Sequence, residues 1–201
     1  AGTKAMAAVG SCGAMCSFVV SLGTGMSLGA NVTIATNIGA GKKDAVHRAV
    51  HTAMLVAVGG GVILALIGQA VIGPIMSHMG ILDPEVEAMA LLYMRIYLAG
   101  LPVIFLYDFE AAIMRSQGDT RTPLIALTVS GLVNVGLNLL FVLGFGMDVN
   151  GVASATVISS AVSSVILLVF LTRSDSIVRV DLRSLAVHVP SLKRIVAVGL
   201  P

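Results

Sequence analysis

The sequence predicts an all-α protein, a polytopic bundle of membrane helices. Of its 201 residues, 57% are hydrophobic and only 11% charged, with a mean hydropathy of +0.99. Soluble domains run at about 45–50% apolar and about 25% charged. The apolar residues gather into five stretches, each long enough for the roughly 20 residues that a bilayer crossing takes. The positive charges, finally, fall into alternate loops.

The first stretch, 5–41, contains no charged residue and ends at the cap-like run Gly39-Ala40-Gly41. It exceeds one bilayer thickness, so it must tilt, bend or begin at the interface. Gly23, Gly25 and Gly29 are its predicted bend, because glycine weakens a helix locally. It also runs well beyond the 7–15 residues of a signal-peptide core, and reads as a span instead. The second stretch covers 49–79, with Gly59-Gly60-Gly61 in its middle. Asp83-Pro84 then supplies an N-cap and a proline at the first helical position, with Glu85 and Glu87 where negative charge suits the helix dipole. The third span runs from there to about Met114.

Gly118 and Asp119 make a turn, and Thr122-Pro123 repeats the cap-then-proline start for a fourth span ending near Gly144. A turn over 146–151 leads into the fifth, 152–172. A polar stretch, 173–194, follows, and a sixth apolar run begins at Ile195. That run breaks off after a few residues, as expected of part of a longer protein with a further helix before Ala1.

Ten of the twelve Lys and Arg lie in the first, third and last loops: Lys42, Lys43 and Arg48; Arg115 and Arg121; Arg173, Arg179, Arg183, Lys193 and Arg194. The intervening loops hold Asp83, Glu85, Glu87 and Asp148 instead. Because Lys and Arg near span ends stay in the cytoplasm, the basic loops are predicted to be internal. Twelve cations against ten carboxylates make no basic stripe for nucleic acid.

The polar residues inside the spans are the candidate site. Asn134 and Asn138 are four apart and share one helix face. Asn138 lies about seven residues from the outer end of its span and Thr156 about five from that of the next, so at about 1.5 Å per residue the two share a depth. Interhelical glue and a cavity lining are both open to such a cluster. Asp108 and Glu110 sit in the inner half of the third span, where ionisable side chains are functional candidates by default. At about 100° per residue they stand about 200° apart and cannot face one cavity. Glu110, five residues before Arg115, is predicted to reach the cytoplasmic headgroups, and Arg95 to snorkel outward or pair across helices.

Other patterns fail on context. Asn31-Val32-Thr33 is a glycosylation acceptor buried in a span, and Gly41-Lys42-Lys43 lacks the glycine and hydroxyl of a phosphate loop. His47 and His51 have no third partner for a metal. Cys12 and Cys16, on one helix face, diverge too far for an easy disulfide.

Four stretches resemble the multidrug and toxic compound extrusion (MATE) transporters: GANVTIATNIGAGKKDAVHRAVHT (29–52), YMRIYLAGLPVIFLYDFEAAIMRSQGDTRTPL (93–124), LVNVGLNLLFVLGFGMDVNGVASATVIS (132–159) and LKRIVAVGLP (192–201). The resemblance implies a roughly twelve-helix antiporter of two six-helix bundles. Residues 1–172 would be helices two to six of the first bundle, 173–193 the cytoplasmic linker, and 194–201 the start of the second bundle, opening on Gly199-Leu200-Pro201. It further implies a multi-pass protein of the inner (plasma) membrane, a carrier and no enzyme. It would need neither cofactor nor metal, and would export cationic or amphipathic small molecules in exchange for H+ or Na+. Its partners would be those substrates, membrane lipids and the second bundle.

By position, Asn134, Asn138 and Thr156 match the family's polar cluster on the fifth and sixth helices, with asparagine at 138 where an aspartate is usual. Asp108 stands where the family commonly has asparagine after tyrosine. Asp108 rather than Asn138 is therefore expected to be the titrating group. The alternatives are a lipid-linked oligosaccharide flippase of the same superfamily and a non-transporting assembly subunit. A flippase would need an Arg/Lys cluster inside the spans, where this chain has only Arg95.

Overall fold

The computed structural model describes residues 2–81, 83–173, 175–181 and 185–199. It is a helical bundle of α1 (Thr3–Ser11), α2 (Gly13–Gly39), α3 (Lys43–His78), α4 (Pro84–Ala99), α5 (Leu101–Ser116), α6 (Arg121–Leu139, continued by a π turn over Leu140–Gly144), α7 (Val149–Arg173) and α8 (Val189–Gly199). Four of these helices are long and apolar enough to cross a membrane, and the bent pair α4 and α5 brings the number to five if it is counted as one span. Arg183, Leu200 and Pro201, which belong to the predicted basic loop and final motif, lie outside the described residues. α8 begins at Val189, within the stretch read from sequence as linker.

Two helix breaks differ from the sequence expectation. The first span is interrupted at Cys12, and α2 then runs unbroken through Gly23, Gly25 and Gly29. The bare backbone of those glycines lets neighbours approach. A Cβ on Gly25 would stand 2.8 Å from the Gly199 carbonyl oxygen, and one on Gly23 would stand 3.1 Å from Asp108 Oδ2. The third span, expected as one helix, is bent by 49° between Ala99 and Leu101. Pro102 is the cause: it has no N–H to donate to the preceding turn, and its ring crowds the carbonyl four residues back. Gly61 of α3 lies against the backbone of Pro102, and Gly100 against Val157 of α7. The bend is thus where three helices meet.

The helix starts follow local chemistry. Asp83 Oδ1 accepts the Glu85 N–H at 2.9 Å ahead of Pro84. At α6 the capping group is Asp119 and not Thr122, whose own backbone and hydroxyl are donors. Asp119 Oδ1 accepts the N–H groups of Arg121 and Thr122, each at 3.0 Å, and its Oδ2 accepts the Thr122 hydroxyl at 2.6 Å. The Thr122 hydroxyl, helped by these N–H groups, holds the Asp119 carboxyl below the usual carboxylate range. The cap is therefore ionised at neutral pH.

The core lies where α2, α3, α4 and α5 converge, around Phe105, Phe109, Met94, Leu101 and Ile113, all essentially inaccessible. Leu66, Leu132 and Leu143 instead point outward at 66, 71 and 76% exposure. Apolar outer faces with backbone polar groups satisfied inside each helix are what a hydrocarbon surrounding requires.

Charge separates along the bundle axis. The segment after α7 folds across the start of α3: the Asp181 N–H donates to His51 Nε2 at 3.1 Å and the His188 N–H to Thr52 Oγ1 at 3.0 Å. Asn31 Nδ2 donates to the Ala112 carbonyl at 2.8 Å and ties the last turns of α2 to those of α5. The basic turns and the linker thus share one end. At the other, Lys4 pairs with Asp83 (3.1 Å) and Glu85, and Asp148 shares a surface hollow with Ala5, Met6 and Val9.

Candidate functional site

α6 and α7 are joined by a polar seam. The Ser130 hydroxyl donates to the Ser159 carbonyl at 2.7 Å, and Asn134 Nδ2 donates to Ser159 Oγ at 3.2 Å. Asn138 Nδ2 reaches back to both the backbone oxygen and Oδ1 of Asn134 at 3.0 Å. This is the contact that the four-residue spacing predicts. The Ser159 hydroxyl closes the seam on the Thr156 carbonyl at 2.9 Å. Each bond satisfies a group that would be costly to leave unpaired in hydrocarbon. One group is left over: Asn138 Oδ1 is buried and accepts no hydrogen bond from the described residues.

Of the four sequence-predicted residues, Asn134 and Asn138 are therefore in contact. Thr156 joins the seam through its backbone, while its hydroxyl donates within α7 to the Val152 carbonyl at 3.1 Å. Asp108 stands apart on α5, half-buried and turned toward Gly23 of α2. No hydrogen bond or ion pair among the described residues links it to the asparagines, and none joins it to Arg115. α5 ends at Ser116, about 12 Å along the helix from Asp108, so this carboxyl lies in the half of the bundle nearer the basic end.

Glu110 departs from its expected place. It is fully buried, not turned to headgroups, and its Oε2 accepts the Ser164 hydroxyl of α7 at 2.9 Å. The two carboxyls thus face different helices, α2 and α7, as their angular separation requires. Arg95 is exposed at the bundle surface, where its carbonyl accepts from Gln69. Sequence reasoning passed over Ser130, Ser159 and Ser164. The available signal was the pair Ser159-Ser160 repeated four residues on as Ser163-Ser164, which lays a hydroxyl stripe along an apolar span.

Among the described residues no group of three His, Cys, Asp or Glu side chains is placed to hold a metal ion. Fold and site together define a polytopic membrane bundle with amides, hydroxyls and two carboxyls inside it and no buried Lys or Arg among the described residues. The MatE family model matches residues 1–140, and the chain belongs to that family. It is 31% identical over 176 residues to the probable multidrug resistance protein YoeA of Bacillus subtilis, covering 86% of this chain and 38% of that one. To the probable multidrug resistance protein NorM of Thermotoga maritima it is 34% identical over 145 residues, 70% of this chain and 31% of the relative. An inward-facing and an outward-facing structure of a multidrug resistance MATE family transporter of the MOP superfamily superpose on it with TM-scores of 0.91 and 0.92. Both are 28% identical, cover 98 and 100% of this chain, and are themselves covered to 45 and 44%. The chain thus spans less than half the length of these relatives.

Proposed function

We propose that the protein carrying this chain is a secondary antiporter of the inner membrane that exports cationic or amphipathic compounds in exchange for H+ or Na+, and that this chain forms one wall of its cavity. The observation that carries the reading is the chemistry of the interior. The carboxyls Asp108 and Glu110 lie inside the spans, the amides of Asn134 and Asn138 on α6 offer further acceptors, and the one Arg within a span, Arg95, is on the surface. Such a wall attracts cations. A flippase for phosphate-bearing headgroups would need the opposite polarity, and the described residues bury no Lys or Arg. The near-equal match to inward- and outward-facing relatives supports a half that moves as one body, as alternating access between two repeats requires.

The test uses the full-length protein in liposomes loaded with ethidium, an amphipathic cation, under an imposed pH or sodium gradient. Efflux that follows one of the gradients and stops when it is dissipated is the expected result; movement indifferent to both would overturn the reading. Orientation is checked in cells by Lys42→Cys, which lies in the exposed turn between α2 and α3. A membrane-impermeant maleimide should label it only after the cytoplasmic face is opened, because the basic loops are internal. Labelling from outside intact cells would reverse the assignment.

A further inference from the structure

We propose that Glu110 is a proton-binding site of the bundle interior, separate from Asp108, which exchanges H+ with water when the α5–α7 contact opens. The inference rests on the antiporter reading for its role in transport, but the site itself is argued from geometry. Glu110 has no accessible surface. Among the described residues its Oε2 has one partner, the Ser164 hydroxyl at 2.9 Å, and its buried Oε1 has none.

The groups that could neutralise a carboxylate here are few. α2 carries no Asp, Glu, Lys, Arg or His; α6 carries only Arg121 at its first residue, and α7 only Arg173 at its last. On α5 itself, Asp108 faces α2, Tyr107 is uncharged, and Arg115 makes no ion pair with Glu110. At the basic end of α3, Lys43, Asp44, His47, Arg48 and His51 lie in its first turns, and none of them forms an ion pair with Glu110. A carboxylate taken out of water with a single hydrogen bond and no cation is strongly disfavoured. Binding a proton removes that cost, and the group becomes a neutral acid that still accepts from Ser164. The chemistry is one reversible O–H bond: the proton leaves Oε1 for water and the charge stays on the carboxyl.

Ionisation is thereby tied to packing. The charge becomes tolerable only when water or a cation reaches it, which requires α5 and α7 to part around Ser164. Glu110 would in this way convert proton release into a change at the α5–α7 interface, on the side of α5 opposite Asp108.

The experiment compares the full-length wild type with Glu110→Gln in liposomes by two readouts. Glutamine has nearly the same size and can still accept from Ser164, so a purely structural role predicts no change in either. In infrared difference spectra across a pH titration, the wild type should show the C=O band of a buried neutral carboxyl that vanishes on alkalinisation. The band should be absent from Glu110→Gln and present in Asp108→Asn. Ethidium efflux by Glu110→Gln should show a changed pH profile that keeps only the dependence contributed by Asp108. Ser164→Ala removes the lone hydrogen-bond donor and should move the pH at which the band disappears, which keeps the proposal testable if Glu110→Gln folds poorly. Identical titration spectra of wild type and Glu110→Gln, or an unchanged pH profile of efflux, would overturn the proposal; so would a response to sodium in place of pH. A wild type that shows the titrating band but no gradient-driven efflux would uphold the proton site and sink the antiporter reading instead.

Discussion

Replacing Gly29 with alanine should drive α8 away from α2 and destabilise the protein by about 1–3 kcal/mol, the usual cost of overpacking a close contact. The added Cβ would lie against the Ile195 carbonyl oxygen and 2.8 Å from the Gly199 nitrogen, both backbone atoms. No rotamer change can relieve such a clash. The approach is mutual, since a Cβ on Gly199 would stand 2.7 Å from the Met26 Cα. The crossing therefore depends on bare backbone from both helices, the way small residues let membrane helices meet. Gly131→Ala on α6 is the control: nothing lies within 4 Å of its would-be Cβ, and removing a helix-interior glycine should gain roughly 0.5–1 kcal/mol. Thermal unfolding of the purified full-length variants checks both. A Gly29→Ala protein that melts with the wild type would show that the crossing has room to spare.

Asp108→Asn should remove its own part of the pH dependence of efflux, whereas Asn138→Ala should weaken substrate affinity and leave that dependence in place. A carboxyl can change charge and an amide cannot. Asp108 is free to do so because no ion pair with Arg115 locks it in the charged state. Asn138 offers a buried Oδ1 without a partner among the described residues, an acceptor available to a substrate. Losing an interaction made equally in ground and transition state raises KM and leaves kcat unchanged. Efflux kinetics at matched expression separate the two roles. Should Asp108→Asn keep both rate and pH profile, the titrating role assigned to it fails; should Asn138→Ala alter the pH profile, the division of labour does.

Hydropathy and loop charge are local properties of the chain. They were enough for the all-α class, the apolar helices, the cap at Asp83-Pro84 and the division into a basic and an acidic end. The pairing of Asn134 with Asn138 was legible for the same reason, since both sit on one helix four residues apart. What a side chain meets on another helix is not local. Glu110 and Arg115 are close in sequence, which suggested headgroups, yet α7 brings Ser164 over Glu110 and closes it from solvent. Ser159 became the partner of Asn134 because α6 and α7 pack in that register. From sequence the glycines of α2 read as a bend; that Gly25 and Gly29 are where α8 comes close could be seen only from the position of α8, and the helix break falls at Cys12. In a bundle whose outer faces are uniformly apolar, many helix arrangements bury similar surface, and the arrangement actually adopted settles which polar groups find partners and which carboxyl is left with one.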